Sequence, residues 1–208
     1  MRILSINVGR PQLQIYRNKN VLTSGHKTPV PHARLGLTDF AGNEQADLAH
    51  HGGPDKAVCV YSFDHYPYWE SWIGEKLAPG AFGENLTLGS LRETEVCIGD
   101  IFAIGEALAQ ISQPRVPCSK LADKLGRKDL PVTIHANGYS GFYFRVLREG
   151  LVKTEDPVTL VTRHPGEVTV SFAHQVYYKQ RTDPTDLQRL LGVPELAAVW
   201  RETLSQRI

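Results

Sequence analysis

Cysteine is scarce in this chain, with three in 208 residues. Cys59, Cys97 and Cys118 stand far apart at irregular spacing, which excludes a CxxC pair and a disulfide framework and suits a reducing compartment. Long apolar runs are missing too. None approaches the roughly 20 residues that a spanning helix needs, and Asn7, Gly9 and Arg10 interrupt the N-terminal apolar stretch before it could serve as a signal segment. A cytoplasmic chain with no membrane partner is expected. Excess charge of one sign is the third absence: 23 Lys+Arg face 22 Asp+Glu, a formal net charge of +1. No broad positive field is left to neutralise phosphates, so no nucleic-acid partner is expected. What is present is ordinary globular composition, 41% hydrophobic and 22% charged, at a length that buries roughly 70% of the unfolded surface around one core with a small satellite.

The pattern is mostly that of strands. MRILSINVGR opens the chain with Leu4, Ile6 and Val8 on one face. Over 56–111 the segments KAVCVYS, GENLTL, TEVCI, DIFAI and ALAQIS follow, with Gly99-Asp100 and Gly105-Glu106 as hairpin turns. One helix interrupts them over 65–77: Asp64 can cap it, Pro67 is tolerated early, and Trp69, Trp72, Ile73 and Lys76/Leu77 recur at helical spacing. SKLADKLG predicts a short helix with a glycine stop, and a second follows Asp129 with Pro131 near its start. Asn137-Gly138 then turns the chain into the strand GFYFRVL, and Glu149-Gly150 and Asp156-Pro157 introduce LVK and VTLVTR.

About eight short strands close most economically into a barrel, because closure removes unpaired edges. The predicted fold class is therefore mainly β: a closed or partly open β-barrel with short interspersed helices over 1–163. Beyond it, 164–208 predicts a three-helix appendage from SFAHQVYYK, from TDLQRLLG behind Asp183-Pro184, and from ELAAVWRETLSQR behind Pro194. It carries apolar stripes, including Phe172, Val176, Leu187, Leu190, Val199, Trp200 and Leu204, but roughly 45 residues are too few to be very stable alone, so the helices are expected to pack on each other and on the barrel or a partner.

The segment Gln113-Pro-Arg-Val-Pro-Cys118-Ser-Lys120 is the most informative for chemistry. Two prolines stiffen the backbone around a cysteine flanked by Arg115 and Lys120 just before a helix start; cations and the helix dipole both favour thiolate. A thiolate attacks electrophiles or binds a soft metal, so Cys118 is the candidate reactive residue, with an inert loop cysteine as the alternative. Cys59 and Cys97, within apolar strands, read as core filler. His50-His51-Gly-Gly-Pro-Asp55-Lys56 precedes a strand; its glycines allow close backbone approach, and Lys56 or a histidine could face an anion, although a solvated turn accounts for it as well. Adjacent strand residues point to opposite faces, which disfavours a dihistidine chelate. Ala81-Phe-Gly-Glu84-Asn85-Leu86 could bring polar side chains to a barrel mouth, or could be an ordinary strand start.

Taken in this order, HHGGPDKAV, AFGENLTLGS, EVCIGDIFAIGEA and ISQPRVPCSKL closely resemble the MOSC (molybdenum cofactor sulfurase C-terminal) family. The resemblance is to its stand-alone bacterial YiiM-like branch, whose three-helix appendage the C-terminal region also matches. It implies a barrel that binds the molybdenum cofactor, a pterin dithiolene with a terminal phosphate, with Cys118 as the molybdenum ligand. Arg115, Lys120 and Lys56 would neutralise the anionic cofactor, and Asn85 and His51 would lie beside it. Glu84, Asp55 or His51 would protonate a leaving oxygen. The implied activity is reduction of N-hydroxylated compounds such as 6-hydroxylaminopurine to amines. The chain lacks the cysteine cluster of an iron-sulfur domain, so electrons would come from an external donor, a flavoprotein reductase; the appendage could dock it or form a homodimer, or simply cap the core. Two other readings stand beside this one, a sulfur carrier with a persulfide on Cys118 and a non-catalytic cofactor-binding module.

Overall fold

The structure, a computed structural model, describes residues 1–16, 18–179 and 183–207. Strand β1 (Arg2–Val8) is followed by a hairpin of β2 (Gln12–Tyr16) and β3 (Lys19–Thr23), then by β4 (Thr28–Val30) and β5 (His32–Leu35). A one-turn helix, α1 (Leu48–His51), and a 3-10 turn at Pro54–Lys56 lead into β6 (Val58–Ser62), after which a second 3-10 turn runs into α2 (Tyr66–Ile73). Strands β7 (Leu86–Gly89), β8 (Ile101–Ile104) and β9 (Ala107–Pro114) precede two short helices, α3 (Ser119–Lys124) and α4 (Leu130–Asn137). The β-rich part ends with β10 (Phe142–Arg148), β11 (Gly150–Lys153) and β12 (Val158–Thr162). Three helices follow, α5 (Val170–Tyr178), α6 (Pro184–Leu191) and α7 (Ala198–Ser205).

Eight strands form one sheet in the order β12-β8-β9-β10-β6-β7-β1-β4. All its pairs are antiparallel except β6 with β7, between which the chain leaves the sheet to make α2. β5 with β11 and β2 with β3 make two separate ribbons. The sheet does not close into the expected barrel as a continuous ladder among the described residues; β12 and β4 are its edges. A narrow seam joins β1 to the approach to β12: a bridge between Arg2 and Pro157, with Ile3 N donating to Asp156 O at 3.1 Å and Glu155 N to Ile3 O at 3.0 Å. Val158 N, at the start of β12, also donates to Met1 O at 3.1 Å, so a few bonds on either side of Pro157 bring the two ends together without a continuous ladder; Pro157 has no N–H and Glu155 sits at φ 71°.

Other local differences have identifiable causes. A register shift between Ile3 and Ser5 buries Ile3 and Ile6 completely, in place of a shared face for Leu4, Ile6 and Val8. TEVCI is no sheet strand: Asp100 accepts the Cys97 N–H at 2.8 Å, and the backbone bonds of Val96 and Ile98 go to the entry of α5. Ser62, not Asp64, caps the turn before α2, while Asp64 accepts from Arg92 at 3.0 Å. α2 stops at Gly74, φ 92°, short of Lys76 and Leu77. The last helix begins at Ala198 rather than behind Pro194.

A single apolar cluster runs from the sheet, through Ile6, Val60, Ile111 and Phe144, into the appendage at Val170, Val176, Leu190, Trp200 and Leu204. The three helices therefore complete the sheet's core and have none of their own among the described residues. A smaller cluster of Tyr61, Tyr66, Trp69, Phe82, Leu121, Leu130 and Ile134 gathers α2, α3 and α4, and Cys118 packs against it. No helix among the described residues is long and apolar enough to cross a membrane.

Candidate active site

The loop after β9 is positioned by its backbone. Arg115 N donates to Gly141 O at 3.0 Å, tying the loop to the start of β10, and Cys118 takes an extended conformation (φ −103°, ψ 159°) as the N-cap of α3. Cys118 C=O accepts from Leu121 N at 3.1 Å. Proline on either side of Arg115 and Val116 removes the alternatives. The half-buried thiol stands on a wall shared by two depressions. The inner one, about 110 Å³, is bordered by Lys27, Cys59, Gly83, Arg115 and Lys124; the outer groove, about 400 Å³, runs from Cys118 toward α7.

The inner cavity is cationic. Arg115 is 8% exposed, and its Nη1 has no hydrogen-bond partner. Lys27 Nζ donates to Asn43 Oδ1 at 2.7 Å, and Lys124 Nζ donates to the carbonyls of Gly25 and Gly80 at 2.8 and 2.9 Å. None of the three ion-pairs with a carboxylate among the described residues. Burial pulls Lys27 down to about 8, against the pull of Cys59 and Asp39. Lys124 is likewise lowered to about 8 by burial, Glu84 opposing and Arg115 adding to the effect. Buried Glu84 acts on all three cations, and Asp39 on Lys27, without a direct ion pair; cationic groups held close together in this way are costly, and a negatively charged guest would offset the cost.

The expected residues divide into two sets. Cys118, Lys120, Lys56 and His51 lie together on the shared wall, and Arg115 and Asn85 border the inner cavity. His51 belongs to helix α1 rather than to a strand approach; burial, with Arg115 adding, pushes its imidazole down to about 4, so it is neutral near pH 7. Its neighbour His50 is exposed and bonds Asp47 at 3.0 Å. Asn85 braces strands: Oδ1 accepts from Cys59 N at 3.1 Å and Nδ2 donates to Asn7 O at 3.3 Å.

Glu84 and Asp55 are corrections. Glu84 is 0% exposed and lines neither depression; its Oε1 accepts from Tyr66 Oη at 2.5 Å, Thr87 Oγ1 at 2.7 Å and Gly80 N at 2.8 Å. Alternation along the strand start turns it inward as Asn85 turns toward the cavity. Asp55 pairs with Arg145 at 2.6 Å and accepts from Ala198 N at 3.1 Å, so it clasps the appendage instead of facing the site.

Four residues join the site that the sequence did not single out. Cys59, expected as core filler, borders the inner cavity; burial pushes its thiol up, against Arg115 and Lys27. Tyr143 lies opposite it in register on β10 and faces both depressions, its phenol kept protonated by burial and by Cys59. Lys124 was findable, since it follows Lys120 by four residues and shares its helix face. Lys27, in a loop before β4, carried no local signal.

The MOSC domain family model matches residues 47–159, and the YiiM-like, 3-alpha helix domain model matches residues 168–208. Uncharacterized protein YflK of Bacillus subtilis (strain 168) is 44% identical over 99% of this chain and 93% of its own. The crystal structure of YiiM from Geobacillus stearothermophilus matches with a TM-score of 0.85 at 41% identity, covering 99% of this chain and 98% of that one. A protein of Gibberella moniliformis (strain M3125 / FGSC 7600) named Reductase is 37% identical over 61% of this chain, which spans only 23% of that protein.

Proposed function

The chain belongs to the MOSC family, with a YiiM-like three-helix domain at its C-terminus, and from that premise we propose that it holds the molybdenum cofactor through Cys118 and reduces N-hydroxylated bases such as 6-hydroxylaminopurine to amines. The observation that carries this reading is the unpaired Nη1 of buried Arg115, with Lys27 and Lys124 around the same cavity and a half-exposed thiol at its rim.

The residues fit the charged end of such a group and its metal donor, with the shared wall of Cys118, His51, Lys56 and Lys120 between the two depressions left for the rest. A terminal phosphate needs concentrated positive charge, which Arg115, Lys27 and Lys124 supply from the protein interior. Lys56 and Lys120 add charge along the shared wall. Gly83, at φ 74°, takes a backbone conformation that favours glycine and passes beside the guanidinium, where an added Cβ would lie 4.0 Å from Arg115 Nη2. Cys118 is the soft donor that suits a molybdenum centre. When bound, the cofactor supplies the two-electron chemistry, and the protein supplies orientation and charge.

The overall conversion takes R–NHOH, two electrons and two protons to R–NH2 and water. The electrons come from an external donor of the flavoprotein class. His51, neutral near pH 7, acts as a hydrogen-bond partner on the shared wall and not as a charged acid, while Tyr143 offers a protonated hydroxyl there. We assign no proton transfer to Asp55, which pairs with Arg145, or to Glu84, which is fully buried with its Oε1 bonded to Tyr66 and its Oε2 unpartnered.

Protein made in a host able to build the cofactor, purified anaerobically and given reduced viologen, should convert 6-hydroxylaminopurine to adenine. Cys118→Ser should abolish that turnover while melting like the parent. Full turnover in Cys118→Ser, or none in molybdenum-loaded parent protein, would overturn the reading. A molybdenum-free protein with cyanide-releasable sulfur on Cys118 would point instead to the sulfur carrier.

A further inference from the structure

The outer groove is the least explained part of the site. Its volume is about 400 Å³, against about 110 Å³ for the inner cavity. One side is the proline loop at Val116, Pro117 and Cys118; the other is the appendage, through Tyr177, Val199, Trp200 and Thr203. Val199 and Thr203 are four residues apart on one face of α7, and Val199 is 47% exposed. Behind them Trp200 is 3% exposed and its ring lies 4.4 Å from that of Tyr177, which fixes the wall.

A second observation points to a guest. Gln113 is 2% exposed and borders this groove, yet its Oε1 has no hydrogen-bond partner, while its Nε2 is spent on Pro114 O at 3.3 Å. A buried acceptor left open asks for an N–H from whatever fills the space.

The wall is also held in place. Asp55 accepts from Ala198 N at 3.1 Å and pairs with Arg145. Ala197 N donates to Ser112 O at 3.0 Å, and Ser112 Oγ donates to Asp55 O at 2.6 Å. The first turn of α7 is thus fixed to β9 and to the turn that follows His51. A preorganised wall of this kind is what specificity requires.

We infer that the outer groove is the substrate subsite, and that α7 and Gln113 select a flat, neutral heteroaromatic ring whose N–H groups meet Gln113 Oε1 and whose N-hydroxyl end reaches the Cys118 rim. This rests on the assignment of the cofactor to the inner cavity and Cys118. Asp55 is then a positioning residue, acting on substrate through α7.

The test uses molybdenum-loaded protein without an electron donor, titrated calorimetrically with 6-hydroxylaminopurine and with adenine. Val199→Trp fills the groove from an exposed position and should weaken both bases at least tenfold with molybdenum content unchanged. Gln113→Leu should weaken them about tenfold and, in turnover, raise KM more than it lowers kcat. Unchanged base affinity in Val199→Trp overturns the inference, as does lost molybdenum with base affinity retained, which would place the pterin in the groove. Parent protein that binds the bases but never reduces 6-hydroxylaminopurine sinks the reductase reading and leaves the subsite standing; turnover with a groove-independent KM does the reverse.

Discussion

Two buried ionic arrangements meet at Gly141 and are built in opposite ways. On one side Glu93 and His65, 3% and 4% exposed, pair at 2.7 Å, and Glu93 Oε1 also accepts the Gly141 N–H at 2.7 Å. The His65 ring stacks on Tyr139 at 3.9 Å. On the other side Gly141 C=O accepts from Arg115 N at 3.0 Å, and the guanidinium beyond it has an atom with no partner. The first arrangement is architecture, complete in itself. The second leaves a buried cationic atom open, and this difference, more than burial or pocket size, is the ground for the proposed anionic guest.

The comparison can be broken from either side. The largest effect belongs to the paired arrangement: His65→Ala should cost about 3–5 kcal/mol in urea unfolding, since it strands a buried carboxylate, with molybdenum per folded molecule unchanged. A loss under about 1 kcal/mol would show that the pair is not structural. Next comes Arg115→Met, expected to weaken cofactor retention roughly 10–100-fold, the equivalent of one charge-assisted hydrogen bond, while cofactor-free protein unfolds no more easily than the parent. If the cofactor-free variant were as unstable as His65→Ala, the two arrangements would be alike after all. Asp55→Ala should cost about 0.5–2 kcal/mol, as loss of a helix-capping acceptor does, with faster amide exchange in α7 and little change in the sheet.

The remaining test is a pH dependence, read as a slope instead of as the loss of one contact. Lys27 and Lys124 lie at about 8 in the folded chain against an ordinary 10.5. Below about 8 both states are protonated and the folded chain carries the full cost of burying these charges. Between about 8 and 10.5 the unfolded chain holds more protons, so stability of the cofactor-free protein should rise across that window. Sulfate, which does not titrate there, should bind more weakly over the same rise, because the cavity is losing charge. Sulfate affinity that stays flat across the window would detach these lysines from anion binding.

Much of this was legible in the sequence where signals are local. PRVPCSK predicts Cys118, Arg115 and Lys120 close together at a helix start, and all three border the inner cavity, because prolines and a helix start dictate the backbone within a few residues. Two of the three C-terminal helices have side-chain caps, Thr169 accepting from Phe172 N at 3.0 Å and Asp183 from Thr185 N at 2.8 Å; the third, which starts at Ala198, four residues beyond its expected opening at Pro194, has none. What was not legible depended on distant partners. Asp55 looks like a site residue beside Lys56, but Arg145 and Ala198, each far along the chain, claim its carboxylate. Glu84 differs from Asn85 only in which way the strand faces. Cys59 reads as core because its segment is apolar throughout, and only the approach of Arg115 and Lys27 shows that its strand borders a cavity. TEVCI has strand propensity, yet Asp100 takes its backbone donor. The sheet's edges, too, meet through bonds between residues far apart in sequence, from Met1 and Ile3 to 155–158, which no local pattern announces.

The most direct measurement is the molybdenum and pterin content of this protein and of Cys118→Ser and Arg115→Met, all expressed in a cofactor-producing host and purified without oxygen. Stoichiometric metal and pterin in the parent, metal absent from Cys118→Ser, and both depleted in Arg115→Met are expected. Equal loading of all three proteins, or none in the parent, would contradict the assignment of the cavity and its rim cysteine to the cofactor.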